Sequence, residues 1–288
     1  MLIVLDVGNT NTTVGVYDGV TLRHSWRLTS DRQRTMDEYG ILCRTLLNLA
    51  DIPPGQVTAM AISSVVPPLD FTLNKMAEVY FSIKPLFVNH ENCGMPILYD
   101  DPSEVGPDRI VNAVAAFTRY GGPCITVDFG TATTFDAVSE AGEYMGGIIY
   151  PGIQISAEAL FQRAARLRRV DMRRPARLIG TNPTGSMQSG LYYGNVALVD
   201  GVLERMIEEM GPATKVIATG GLASLISRGT RRIQTIDPNL TLEGLRIVYE
   251  RSLESESLNP DSLNSRRSLR TPDTRLQTLD SRLNFVIA

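Results

Sequence analysis

The chain opens on two apolar runs that flank a polar tip, Ile3 to Val16 (IVLDVGNTNTTVGV). Their β-branched residues, with Gly, Asn and Thr between them, predict a β-hairpin. Ile125 to Asp136 (ITVDFGTATTFD) repeats the plan. In each copy the first run delivers an aspartate, Asp6 or Asp128, followed after one spacer by Gly8 or Gly130 and then by small hydroxyl or amide residues. Between the copies, Val20 to Leu28 reads as a strand, Met36 to Leu49 as a helix, Val57 to Ser63 as a strand, Asp70 to Phe81 as a helix and Lys84 to Val88 as a strand. The period passes from about 2 to about 3.6 residues and back, as in a sheet covered by helices. A repeat this widely spaced predicts two related domains, 1–115 and 116–251, rather than a solenoid.

His90 to Arg109 has weak periodicity and many turn residues, and is expected to be a long ordered loop with a functional role. A helix is predicted from Ile110 to Tyr120, ended by Gly121-Gly122-Pro123. After the second hairpin come a strand, Tyr144 to Tyr150, a helix, Gln154 to Arg168, a loop, Ile179 to Thr184, and a long helix, Ser186 to Met210. Lys215 to Thr219 is a short buried strand that runs into Gly220-Gly221 and a helix from Leu222 to Ser227, a place where a nucleotide can lie against backbone. A helix from Leu242 to about Arg251 closes the globular pattern. Ser252 to Ala288, rich in Ser, Arg, Asp and Asn without sustained periodicity, reads as a disordered or loosely helical tail.

The two tips suggest a chemistry. Glycine lets backbone approach a ligand, amides and hydroxyls donate to phosphate oxygens, and a neighbouring aspartate holds Mg²⁺ directly or through water. Two such tips facing each other form a clamp for a triphosphate. Two ordinary hairpins with polar turns are the plainer alternative, which the duplicated Asp-x-Gly core weakens.

Composition narrows the partners. At 288 residues, 43% hydrophobic and 20% charged, the chain has the balance of a soluble globular protein. A net charge of −3 and a pI near 5.5 argue against nucleic acid as the main partner. Cys43, Cys93 and Cys124 are odd in number and without CxxC spacing, so no disulfide framework or zinc site is expected, and a reducing cytoplasm fits. No apolar run approaches the ~18 to 20 residues of a membrane span, and no export signal is read at the start. His24 and His90 lie far apart without HExxH spacing, which disfavours histidine-based metal catalysis.

Neither GxxxxGK[ST] nor GxGxxG occurs, so phosphate handling falls to Asp6-x-Gly8-Asn9-Thr10, then Asp128-x-Gly130-Thr131-x-Thr133-Thr134, then Gly220-Gly221. This order resembles the phosphate-1, phosphate-2 and adenosine motifs of the acetate and sugar kinase, Hsp70 and actin superfamily. The wording DVGNTNTTVGV, ISSVVPP, EVGPDR and DFGTATTFD is similar to that of type III pantothenate kinases, from Met1 to about Arg251. The resemblance implies an α/β fold of two duplicated ribonuclease-H-like domains with a nucleotide cleft between them. It further implies transfer of the γ-phosphate of ATP to the primary hydroxyl of pantothenate, Mg²⁺, a monovalent cation (K⁺ or NH₄⁺) and a homodimer.

Carried onto this chain, the resemblance implies that Asp6, Val7, Gly8, Asn9, Thr10, Asn11, Thr12 and Thr13 form the first phosphate loop, with Thr131, Gly220 and Gly221 completing the ATP site. Asp128 matches the monovalent-cation position, and Asp6 is the candidate for Mg²⁺. Asp108 matches the general base, and Tyr99, Gly106, Pro107, Asp108 and Arg109 match the pantothenate site. A carboxylate base fits an alcohol that sheds its proton as it attacks phosphorus. Helix capping is the alternative for Asp108, a surface cation for Arg109 and a buried loop anchor for Tyr99. One departure stands out: Pro183 occupies the position where the family carries a substrate-touching threonine, so Thr184 is the candidate after a one-residue shift. Two further readings keep the fold, a kinase of a sugar or other small hydroxylated acceptor, and a non-catalytic actin-like nucleotide-binding module.

Overall fold

The computed structural model describes residues 1–164, 167 and 169–258. Leu2–Val7 (β1), Asn11–Asp18 (β2) and Thr21–Thr29 (β3) form an antiparallel meander. After helix Met36–Leu49 (α1), strand Ala59–Ser64 (β4) pairs in parallel with β1, and after helix Pro67–Phe81 (α2), Leu86–Phe87 (β5) pairs in parallel with β4. The first sheet therefore has the order β3-β2-β1-β4-β5. Helix Pro107–Tyr120 (α3) leads to the second sheet, whose meander is Cys124–Phe129 (β6), Ala132–Val138 (β7) and Tyr144–Pro151 (β8). Helices Ile153–Arg163 (α4) and Pro183–Met210 (α5) precede Lys215–Thr219 (β9), which lies parallel to β6; helix Ala223–Ile226 (α6), strand Thr235–Ile236 (β10) and helix Leu240–Leu258 (α7) finish the described chain. The order β10-β9-β6-β7-β8 matches the first sheet strand for strand, so the repeat read in the hairpins extends to both sheets. This is the duplicated α/β architecture that the sequence predicts.

Three cores explain the layering. On the outer face of the first sheet Ile3, Leu5 and Ile62 meet Tyr39 and Leu47 of α1 and Leu69 and Leu73 of α2. On the outer face of the second, Ile125, Val127 and Phe135 meet Tyr192, Val199 and Leu203 of α5. The core between the sheets is shared: Val4 and Ala61 from one, Cys124 and Ile217 from the other, with Ile110 to Ala116 of α3 and Leu242, Leu245 and Val248 of α7 between them. Helix α3 is buried around its whole circumference from Arg109 to Ala116. The domain boundary expected at 115/116 falls inside this helix, which serves both sheets.

Three helices start earlier than their apolar spacing suggests, and each starts on proline: Pro67, Pro107 and Pro183. Proline lacks only an N–H that a first turn cannot use, and its φ is already helical. Asn182 caps α5 by accepting from the Gly185 amide at 2.8 Å, which gives Pro183 a structural reason to stand where it does. Strand β10, with two residues, is too short to leave a period in the sequence. Helix α7 continues past Arg251, so Ser252 to Leu258 are helical, and the rest of the expected tail lies outside the described residues. Among the described residues no helix is long and apolar enough to cross a membrane. The three cysteines are buried and unbridged.

Candidate active site

The two hairpin tips meet. Thr10 Oγ1 lies 3.2 Å from Thr131 Oγ1. Each tip is closed by its glycine amide, Gly8 N–H donating to Asn11 O and Gly130 N–H to Ala132 O, both at 3.0 Å. Of the first loop, Asn9, Thr10 and Asn11 are exposed, while Val7 and Thr12 are buried, with Thr12 Oγ1 2.8 Å from Ser30 Oγ. Residues 30–35 brace this tip: Ser30 N–H donates to Thr10 O at 3.0 Å, and the exposed Arg32 donates to Asn9 Oδ1 at 3.0 Å. Arg32 carries no motif spacing that marks it, and its place beside the tip emerges only from the fold.

Three carboxylates converge below the tips. Asp6 and Asp128 sit at the C-terminal ends of the two central strands, and Asp108 in the first turn of α3. All three keep some solvent-exposed surface, as side chains on a cleft floor do. Burial raises Asp6 well above the usual carboxylate range, and the charges of Asp108 and Asp128 raise it further. Burial, then Asp108, pushes Asp128 up to about 7, against the pull of its bond to Asn112. Burial also raises Asp108, against the Arg109 amide that donates to its Oδ1 at 2.8 Å. Capping and chemistry are therefore compatible at Asp108, since the helix amide occupies Oδ1.

Two residues back Asp128: Asn112, which sequence reasoning misses, and Gly220, which it assigns to the nucleotide. Asn112, buried in α3, donates to Asp128 Oδ2 at 3.2 Å and accepts from Thr241 of α7 at 2.8 Å. Gly220, with φ of +90°, ends β9 against the same carboxylate, where any Cβ would overlap Asp128 Oδ1. Gly221 follows it at the surface. Among the described residues no group of three or more His, Cys, Asp or Glu side chains is close enough to cage an ion. A donor set of spaced carboxylates fits Mg²⁺ that is held mainly by phosphate oxygens and water, which needs only one or two protein oxygens.

A second cluster borders Asp108. The expected long loop crosses from the first half and stitches itself to β8: Tyr144 N–H donates to Pro96 O, and Leu98 N–H to Tyr144 O, both at 2.8 Å. This lays Tyr99 on Tyr144, ring centroids 6.4 Å apart. Gly106 and Pro107 are the cap and first residue of α3, so the next two residues, Asp108 and Arg109, leave the helix start together. Arg109 turns into the protein and donates from Nε to Asp136 Oδ1 at 2.7 Å. Tyr99, Gly106, Pro107, Asp108 and Arg109 are thus brought together. Thr184 lies elsewhere: it is exposed on the first turn of α5, and its neighbour Pro183 lines a groove with Tyr150. Tyr150 is at the other end of β8 from Tyr144, about 20 Å along a strand that rises ~3.3 Å per residue.

Known proteins resemble this chain in sequence and in fold. The sequence profile of the family described as type III pantothenate kinase matches residues 2–205. A protein of that name from Koribacter versatilis is 56% identical over 263 residues, covering 88% of this chain and 96% of the relative. Another from Myxococcus xanthus is 55% identical over 253 residues, covering 88% and 99%. Among solved structures, component A of (R)-2-hydroxyglutaryl-CoA dehydratase from Acidaminococcus fermentans matches with a TM-score of 0.51 at 11% identity, covering 88% of this chain and 98% of that one. That last likeness is one of fold alone.

The raised carboxylates have a consequence for stability. A folded-state value of about 7 for Asp128, against ~3.9 in an unfolded chain, means the native state binds that proton more tightly. Its contribution to stability is full below about pH 4 and is lost as pH rises through about 7. Asp128→Asn removes this dependence. The melting temperature of the variant relative to the native protein, both free of nucleotide, should rise from pH 5 to about pH 7 and level off above it in thermal scans. A difference that stays flat with pH would contradict the assignment.

Proposed function

The chain belongs to the type III pantothenate kinase family, and from that premise we propose how its residues divide the transfer of the γ-phosphoryl group of ATP to the primary hydroxyl of pantothenate. The product is 4'-phosphopantothenate, and the reaction is the first step of coenzyme A biosynthesis. The observation that supports this reading is the 3.2 Å approach of Thr10 and Thr131 across the two tips, beside carboxylates that feel one another's charge.

Asn9, Thr10 and Asn11 from one tip and Thr131 from the other receive the triphosphate of ATP, with Gly220 and Gly221 flooring the adenosine. Asp108 is the general base. It accepts the proton of the pantothenate hydroxyl as that oxygen bonds to the γ-phosphorus, and the bond from phosphorus to the β,γ-bridging oxygen breaks with its electron pair leaving on ADP. Burial makes Asp108 a stronger base than an exposed carboxylate, and the rest of the catalysis is positioning and charge neutralisation. Asp6 holds Mg²⁺ directly or through water, and the ion when bound supplies positive charge to the phosphates. Asp128 holds the monovalent cation, K⁺ or NH₄⁺. Tyr99 and Arg109 hold pantothenate.

We also assign a homodimer. Ile148 and Ile149 of β8, Ile155, Leu160 and Phe161 of α4, and Leu178 and Ile179 are exposed apolar residues concentrated in one stretch of chain, with Ile149 63% and Ile179 80% exposed. Apolar surface gathered in this way marks an interaction face. Three unbridged cysteines fit a reducing compartment, and we place the protein in the cytoplasm.

Asp108→Asn should lower pantothenate-dependent ADP release by about 10² to 10⁴-fold, with circular dichroism and ATP binding unchanged; near-normal turnover would remove Asp108 from the mechanism. Sedimentation velocity of the native protein should give one dimeric species, and Leu160→Glu should shift it toward monomer. A native protein that sediments as a monomer or as long polymers would overturn the dimer.

A further inference from the structure

Asp136, in the middle of β7, has no exposed surface and no part in the phosphate loops. Three side chains donate to it: Arg109 Nε at 2.7 Å, the Tyr144 hydroxyl at 2.8 Å and Thr134 Oγ1 at 3.2 Å. The way Arg109 is gripped matters more than the fact that it is gripped. Asp136 takes the inner Nε, and Nη2 at the outer end of the guanidinium is buried with no hydrogen-bond partner. A buried, unmet donor on a cation is costly unless a ligand completes it.

The guanidinium is confined on its other sides. The Tyr144 ring lies 5.9 Å from its central carbon, and Tyr99 packs on Tyr144. Across β8 the chain carries Gly147, where a Cβ would come within 2.8 Å of Nη2 and overlap the Phe135 carbonyl. A fixed, planar cation with an unmet outer donor is matched to a carboxylate, which accepts from a guanidinium with high geometric specificity. Pantothenate carries one carboxylate, at the end of the molecule away from its primary hydroxyl.

We propose that Asp136 is a positioning residue of the acceptor pocket: it anchors Arg109 by Nε so that the outer edge of the guanidinium faces the carboxylate of pantothenate, and Tyr144 holds Asp136 in place. The assignment rests on the kinase reading above and adds to it the source of selectivity for an acid over the corresponding neutral alcohol. A purely structural ion pair between α3 and β7 is the competing account, and the two differ in what they predict for a substrate without a carboxylate.

The test is steady-state kinetics of full-length Asp136→Asn with pantothenate and with its alcohol analogue, in which a hydroxymethyl group replaces the carboxylate, the analogue being followed as substrate or as competitive inhibitor. KM for pantothenate should rise roughly tenfold or more, the size expected for a weakened charged hydrogen bond. The value for the alcohol and KM for ATP should stay within about twofold, so preference for the acid collapses by the same factor. Equal losses for acid and alcohol, or a fall in kcat alone, would overturn the proposal in favour of the structural pair. If Asp136→Asn fails to fold by circular dichroism, Tyr144→Phe, which removes one of the three donors, carries the same comparison, with a smaller rise confined to the acid expected and equal effects on both overturning it. Failure of the native protein to phosphorylate pantothenate at all would overturn the kinase reading and this assignment with it.

Discussion

Like charges gathered where water is scarce are the constraint on which the rest of this molecule turns. Asp6 and Asp128 are each raised by burial and by neighbouring carboxylates, with Asp108 acting on both. Folding holds these groups together against their repulsion, so other parts of the chain must offset the cost. The offset comes from the shared core, where α3 and α7 are packed between two sheets and fix the ends of β1, β6 and β9 relative to one another. The small corrections near the carboxylates, Arg27 lowering Asp6 and Asn112 lowering Asp128, are partial. What is left is a site whose electrostatics are incomplete until positive charge arrives, a fitting state for a protein that handles a metal-bound triphosphate.

The site is also asymmetric in a way that the repeat conceals. The two hairpins descend from one plan, and their registers place Asp6 opposite Thr13 and Asp128 opposite Thr134. Yet only the second sheet carries the cluster of Arg109, Asp136 and Tyr144. The loop before α3 leaves the first half, pairs with the start of β8 and delivers Tyr99 and Asp108 to the second. Duplication supplies the paired tips, and a departure from duplication supplies the cluster beside them.

Much of this was legible in the residues. The strand and helix order followed from periodicity, and the two Asp-x-Gly tips that the repeat pairs do meet, at Thr10 and Thr131. Helix starts were placed late at Pro67, Pro107 and Pro183, because apolar periodicity begins only after the first turn that each proline opens. Asn112, Asp136 and Tyr144 were not singled out. Each owes its place to tertiary contact: Asn112 reads as one polar residue on an apolar helix, Asp136 as the end of a hairpin, and Tyr144 as the start of a strand. Pro183 looked like a lost substrate contact, and its position at the first turn of a capped helix gives it a local structural role. Thr184, one residue on, lies apart from the cluster around Tyr99.

The measurement that bears most directly on the central claim is a coupled ADP-release assay with a panel of acceptors, pantothenate beside sugars and other small hydroxylated acids, each with and without potassium. The account predicts ADP release with pantothenate, confirmed by mass detection of its phosphorylated product, little with the other acceptors, and a marked drop when potassium is withdrawn. Release with a sugar and none with pantothenate would contradict it.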